Sequence, residues 1–388
     1  MQGEVTMLLK NAQILDTTMR RFFQGDLRIQ DGTISAVGSS LTAENGEEVV
    51  DIGGNHLIPG LVDIHSHGAA GEDAMLSSPE KLIAMARHYA AHAVTTLFPT
   101  VLTGTRAELN EAMKRIVSAA HLKKNPVTFA GVHIEGPYLS DKRPGCHDIS
   151  LLKSPDEAEF EEWLSILGKI KAYVTIAPEL PGAMDLIEKY TKRGVTFSIG
   201  HSDATGAVCR EALSRGVGSF THLYNAMRPL HHRESGVVGT ALCTDAYAEL
   251  ICDGVHIDRD VVNMTYRIKG VDKLILVTDS MQAAGMPDGR YKLGSLDVTV
   301  ENSIAWLSPG TLAGSTLNLL DAIKNLMDFS GASLADAVIC ATRNPAKAAG
   351  LYDKIGSLEK GKDADLAVLD SGRNLTMTIS RGRIVYTA

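Results

Sequence analysis

Long apolar runs are missing from this sequence. Nowhere do ~18 apolar residues follow one another uninterrupted, which excludes an ordinary membrane-spanning helix. Cysteine is sparse: Cys146, Cys209, Cys243, Cys252 and Cys340 are odd in number and show no C-x-x-C spacing, so reduced thiols fit better than a disulfide framework. None of them looks like a catalytic nucleophile. An excess of positive charge is also lacking, since the formal charge is −8 and the pI near 5.9. A general nucleic-acid binder or a membrane-surface protein would need a net basic face. The first twenty residues carry Lys10, Asp16 and Arg20 and no apolar stretch of leader length, so a soluble cytoplasmic protein is expected.

What is present is a chain of 388 residues, 44% hydrophobic, long enough for one large domain and a smaller one. Residues 1–56 show short runs with turn signals at Asp31-Gly32, Gly38 and Gly53-Gly54, the pattern of a small all-β unit. Residues 357–388 repeat that style across the turn Arg381-Gly382. Each end has too few strands for a stable sheet, so the two termini are expected to combine into one β-sandwich. Over 57–356, eight apolar strands alternate with helical stretches, beginning with 57–67 and ending with 274–278. That repetition predicts a (β/α)8 barrel with its site at the carboxyl ends of the strands.

The stretch LIPGLVDIHSHG, residues 57–68, ends in His65 and His67, which an extended strand points to the same side. Other strands end in Glu135, His201, His222 and Asp279. Imidazole and carboxylate suit zinc or iron. Six groups exceed the need of one tetrahedral ion, which leaves either two ions or one ion with groups left for chemistry. Glu135, between the two histidine pairs, is the natural bridge. A metal brings the pKa of water to roughly 7, and Asp279 would then act as general base. Arg233 beside His231 and His232 is the densest cationic spot on this side, suited to a phosphate. His88, His92 and His121 lie on helical stretches and are expected to be structural.

Taken together, PGLVDIHSHG, GVHIEGPYL, GHSDAT, THLYNAMRPLHHRESG, DGVHID, LVTDSM, TLAGS and GKDADLAVLD resemble the amidohydrolase superfamily and, within it, the N-acetylglucosamine-6-phosphate deacetylase family. The resemblance spans essentially the whole chain. It implies an α/β fold, a distorted (β/α)8 TIM barrel with a small β-sandwich domain formed from both chain termini. It implies Glu135, His201 and His222 as ligands of the principal divalent metal, His65 and His67 as able to hold a second ion, so that one or two ions are expected per subunit, and Asp279 as catalytic acid/base. It further places Cys146 against the sugar through its backbone and His147 near the amide carbonyl. Asn225, Ala226, Arg233 and His256 would hold the 6-phosphate, and Leu312, Ala313 and Gly314 would form a loop over the sugar. In the family that arginine reaches the neighbouring subunit's site, which implies a homodimer. The expected reaction is metal-dependent hydrolysis of N-acetyl-D-glucosamine 6-phosphate to D-glucosamine 6-phosphate and acetate, in amino-sugar catabolism. The rivals are the same architecture acting on another N-acetyl sugar or a cyclic amide, and a non-catalytic barrel scaffold.

Overall fold

The computed structural model describes residues 6–308 and 310–388; residues 1–5 of the expected N-terminal unit lie outside the described residues. Eight parallel strands form the central barrel: Leu61–Ser66, Val94–Leu102, Gly131–Glu135, Lys171–Ile176, Thr196–Ile199, Ser219–Phe220, Tyr247–Ile251 and Leu274–Val277. They pair in chain order. Every residue of Val94–Leu102 is buried, because helices cover one face of the strand and the barrel interior the other. The eighth and first strands meet at their carboxyl ends. There the Asp279 N–H donates to the His65 carbonyl (2.9 Å) and the His67 N–H to the Ser280 carbonyl (2.8 Å).

Each intervening helix is set by its own sequence. In Arg106–Ala120, Thr105 and Glu108 form a reciprocal capping box, and Leu109, Ala112, Met113 and Ile116 recur at the spacing that buries one face. Among the described residues no helix is long and apolar enough to cross a membrane.

The termini do combine. Strands Thr6–Asp16, Arg21–Gln30, Thr33–Gly38, Glu48–Asp51 and His56–Pro59 join Leu366–Leu369, Leu375–Ser380 and Arg383–Thr387 in one hydrogen-bonded sheet over its own small core. The strand expected over 57–67 is two strands. Leu57 and Ile58 pair with Val368 and Ala367 in the terminal sheet, and the barrel strand starts after Gly60, whose N–H donates to the Asp365 carbonyl. A further antiparallel sheet, Gly289–Leu293, Leu296–Glu301, Ile304–Ser308 and Thr311–Leu312, follows the eighth barrel strand and was not expected.

Asp365 lies at the junction of barrel and terminal sheet, its Oδ1 accepting the Arg381 N–H at 2.7 Å. Burial pushes its pKa up to about 7, with the Arg381 N–H opposing the shift. A folded-state pKa above the unfolded value stabilises fully below pH ~4, and that contribution is lost as pH rises through ~7. Asp365→Asn keeps an acceptor and removes the loss. The variant is expected to gain on the order of 2–4 kcal/mol at pH 8 and nearly nothing at pH 4. Denaturant midpoints at the two pH values check this; equal midpoints at pH 8 would refute it.

Candidate active site

At the carboxyl mouth of the barrel, a cavity of about 280 Å³ is lined by His67, Glu135, His147, His201, His222 and Asp279. His65 lies just beneath, fully buried. Glu135 is the hub. Its Oε1 is 2.9 Å from His222 Nε2 and 3.2 Å from His201 Nε2. Its Oε2 is 3.1 Å from His67 Nε2 and 3.5 Å from His65 Nε2. Asp279 Oδ1 is 3.2 Å from His67 Nε2 and 3.4 Å from His65 Nε2.

Backbone conformation aims these side chains. His201, His222 and Asp279 each follow a barrel strand, and each has a positive φ (47°, 30° and 49°). Left-handed backbone at a non-glycine residue costs about 1–3 kcal/mol and concentrates at functional sites. Here it turns the chain sharply off the strand end and puts the side chain over the barrel mouth. The loop after Glu135 is then fastened onto His201. The His201 Nδ1–H donates to the Arg143 carbonyl (3.0 Å), which leaves Nε2 with its lone pair, and the Arg143 guanidinium bonds Asp203. Gly145 in that loop has φ 59°, and a Cβ there would stand 2.8 Å from His201 Cε1. Gly145→Ala is therefore expected to cost about 100-fold in kcat/KM through a displaced imidazole. Steady-state kinetics would decide it, and a change under threefold would mean that the loop yields freely.

Whether these residues suit a metal ion is answered by their unmet bonding. His65 Nε2, which faces the carboxylates of Glu135 and Asp279, is buried without a hydrogen-bond partner, and so is His147 Nε2. His201 Nε2 and His222 Nε2 face each other at 3.1 Å over one carboxylate oxygen. Two triads have ligand atoms close enough to share an ion: His65, His67 and Asp279, and Glu135, His147 and His201. A divalent cation satisfies such nitrogen and oxygen sets. Without one, burial pushes the His67 pKa down, but the Asp279 and Glu135 hydrogen bonds carry it up to about 9. Asp279 is correspondingly held well below the usual carboxylate range: burial opposes ionisation, and the His65 and His67 charges outweigh it. Burial, with His201 beside it, depresses the pKa of His147 well below normal, so its ring is neutral. The His147 Nδ1 is 2.7 Å from the Thr103 hydroxyl.

Cys146, Asn225, Ala226, His256, Leu312 and Gly314 share the cavity wall. The Cys146 thiol is pushed up by burial and stays protonated. The Asn225 amide donates to the His222 carbonyl (3.0 Å), which fixes the turn after the sixth strand. Burial lowers the His256 pKa, and Asp253, 2.7 Å from its Nδ1, more than restores it. Two expected residues stand elsewhere. Ala313 is buried outside the lining with its N–H on the Ala305 carbonyl (3.1 Å), and Arg233 is exposed in the 231–234 turn. Among the described lining residues there is no lysine or arginine. His88, His92 and His121 stay on or just past their helices.

The sequence reading missed several supporting side chains. His133 bridges the Ile64 carbonyl (2.8 Å) and the Thr175 hydroxyl (2.7 Å), with its ring 4.3 Å from that of His65. Thr103 holds His147, and Leu293, Gly310 and Thr311 line the cavity. The HIE spacing in GVHIEGPYL places His133 on the same strand face as Glu135, and that signal could have found it.

Residues 56–385 match the amidohydrolase family. The chain is 35% identical to the N-acetylglucosamine-6-phosphate deacetylase of Bacillus subtilis (strain 168), over 98% of this chain and 97% of the relative. It is 34% identical to the N-acetylgalactosamine-6-phosphate deacetylase of Escherichia coli O157:H7, over 92% and 94%. Among solved structures, a mutant N-acetyl-D-glucosamine-6-phosphate deacetylase of Mycobacterium smegmatis in complex with N-acetyl-D-glucosamine-6-phosphate superposes with a TM-score of 0.90. It shares 31% identity over 98% of this chain and 100% of that one.

Proposed function

The chain belongs to the amidohydrolase family, and from that premise we propose that it removes the acetyl group of N-acetyl-D-glucosamine 6-phosphate by metal-dependent hydrolysis. The observation that carries this reading is Glu135, with two imidazoles on each of its oxygens and Asp279 opposite, at the floor of a cavity whose wall carries His256.

Glu135, His201 and His222 would hold the principal ion, zinc or iron, and His65, His67 and Asp279 a second. Bound there, the metal supplies Lewis acidity that polarises the acetyl carbonyl and acidifies water. The rest is done by side chains. Asp279 takes the proton of the attacking water and delivers it to the amine as the C–N bond breaks. With the Thr103 hydroxyl donating to Nδ1, His147 carries its hydrogen on Nε2 and donates it to the oxygen of the tetrahedral intermediate. Asn225, Ala226 and His256 receive the phosphate, while Cys146, Leu312 and Gly314 enclose the sugar. A dianion needs positive charge, the described lining holds no lysine or arginine, and the exposed Arg233 of a second copy would provide it, which makes the functional unit a homodimer. Five free cysteines support a cytoplasmic setting.

The likeness to an N-acetylgalactosamine-6-phosphate deacetylase favours one second reading, the 4-epimer of the same phosphosugar. Acetate release from both phosphosugars and from unphosphorylated N-acetylglucosamine, with chelator-stripped enzyme restored by zinc or iron, tests all of this. Metal-dependent turnover of the glucosamine phosphosugar at the highest kcat/KM is the expected result. Preference for its epimer would establish the second reading, and equal turnover without the phosphate would remove the phosphate assignment. No turnover by metal-loaded protein would return the scaffold reading.

A further inference from the structure

Glu249 lies on the seventh barrel strand, fully buried in the barrel interior beneath the cavity. Only half of its carboxylate is used. Oε1 accepts the Tyr173 hydroxyl at 2.5 Å and the Ser198 hydroxyl at 3.4 Å, and the Tyr173 hydroxyl is itself 2.5 Å from that of Ser219. Oε2 is buried and has no hydrogen-bond partner. It faces His65 Nδ1 at 3.7 Å, and that nitrogen is also buried and unpartnered. An unsatisfied buried polar group costs about 1–3 kcal/mol, so two such groups face to face call for a shared hydrogen.

We infer that Glu249 is a positioning residue for His65: its Oε2 takes the Nδ1–H hydrogen bond, which fixes the tautomer that leaves the Nε2 lone pair free for the second metal ion. His133 completes the clamp. Its ring is bonded at both nitrogens and packs edge-on against His65 at 4.3 Å, so that the imidazole has one stable orientation. A carboxylate behind a metal-bound histidine raises its basicity and sets its tautomer, and removing such a partner commonly costs 10–100-fold in metal affinity. The inference rests on the reading that His65 and His67 hold an ion, and it adds a residue from a strand to which the sequence assigned no chemistry.

Glu249→Gln separates positioning from mere anchoring. Its one carbonyl oxygen can keep the Tyr173 and Ser198 bonds, and its NH2 then faces His65 Nδ1, where it favours the tautomer with hydrogen on Nε2. Zinc per chain and zinc affinity would be measured by competition with a chelator, alongside ¹⁵N spectra of the histidines in zinc-loaded protein. The wild type is expected to hold two ions, with the His65 Nδ1 protonated. In Glu249→Gln the affinity for the second ion falls 10–100-fold, the first ion is retained, and the His65 Nε2 loses its coordination shift. Glu249→Asp, which keeps the charge, loses less than tenfold and guards against a folding defect in the amide variant. Second-ion affinity in Glu249→Gln within twofold of wild type would overturn the inference. A wild type holding one ion would overturn it together with the second-site reading, while acetate release reports separately on the deacetylase.

Discussion

Asp279→Asn is expected to lower kcat by about three to four orders of magnitude, the upper range for a general acid–base group, while the ion at Glu135, His201 and His222 stays bound. Asparagine has nearly the same shape and tolerates left-handed backbone, so the φ of 49° and the N–H bond to the His65 carbonyl survive. What disappears is an oxygen that can take a proton. The carboxylate is poised for this because the cluster around it favours the ionised form. Acetate release and metal content, measured on the same preparation, check the expectation. Activity within tenfold of wild type would move the proton-transfer role to another group that lines the cavity, such as His147 or His256.

Arg233→Ala is expected to raise KM for the phosphosugar by about 30–100-fold with little change in kcat, since a charge-assisted pair to phosphate contributes about 2–3 kcal/mol of binding. The position of Arg233 makes the stronger test one of complementation. In one subunit this side chain is exposed and outside its own cavity lining. If it serves a neighbour, Arg233→Ala and Asp279→Asn chains mixed and allowed to exchange form hybrids with one doubly impaired site and one intact site. Assayed well below KM, about a quarter of wild-type activity should return under statistical mixing. Mixing that restores nothing, with exchange confirmed by labelled subunits, would overturn the role of Arg233 in the neighbour's site, and an unchanged KM in Arg233→Ala would place it outside the reaction.

The parts of the site legible in the sequence are those where chemistry coincides with an end of a run. His65, Glu135, His201, His222 and Asp279 stand out because an apolar strand stops at each of them, and barrel geometry then brings all the strand ends to one mouth. Glu249 was invisible by the same logic, and His133 showed only in its spacing from Glu135. They sit inside strands, where a polar residue interrupts an apolar pattern without announcing what it faces across a closed barrel. The boundary at Gly60 was blurred because both neighbouring strands are buried and apolar, so hydrophobicity is continuous while the hydrogen-bond partners change. The sheet over 289–312 did leave a signal: Leu296–Glu301 alternates buried and exposed residues, with Val298 and Val300 inward. Its strands are short and its hairpin partners lie within a few residues, so the pattern reads as loop unless the alternation is counted. Arg233 could be flagged as cationic, yet no local pattern says which subunit it serves.

The left-handed residues at the barrel mouth bear on how this enzyme would respond to selection. His201, His222 and Asp279 hold a conformation that glycine adopts without penalty, and each adds a buried polar group to a crowded cluster. In metal-free protein, glycine at His201 or His222 relieves backbone strain and thins a cluster of buried imidazoles, whereas Asp279 is held by the charges of His65 and His67. A library screened for heat resistance alone would therefore enrich catalytically dead chains at the two histidine positions, whereas the same library screened with metal present would reject them.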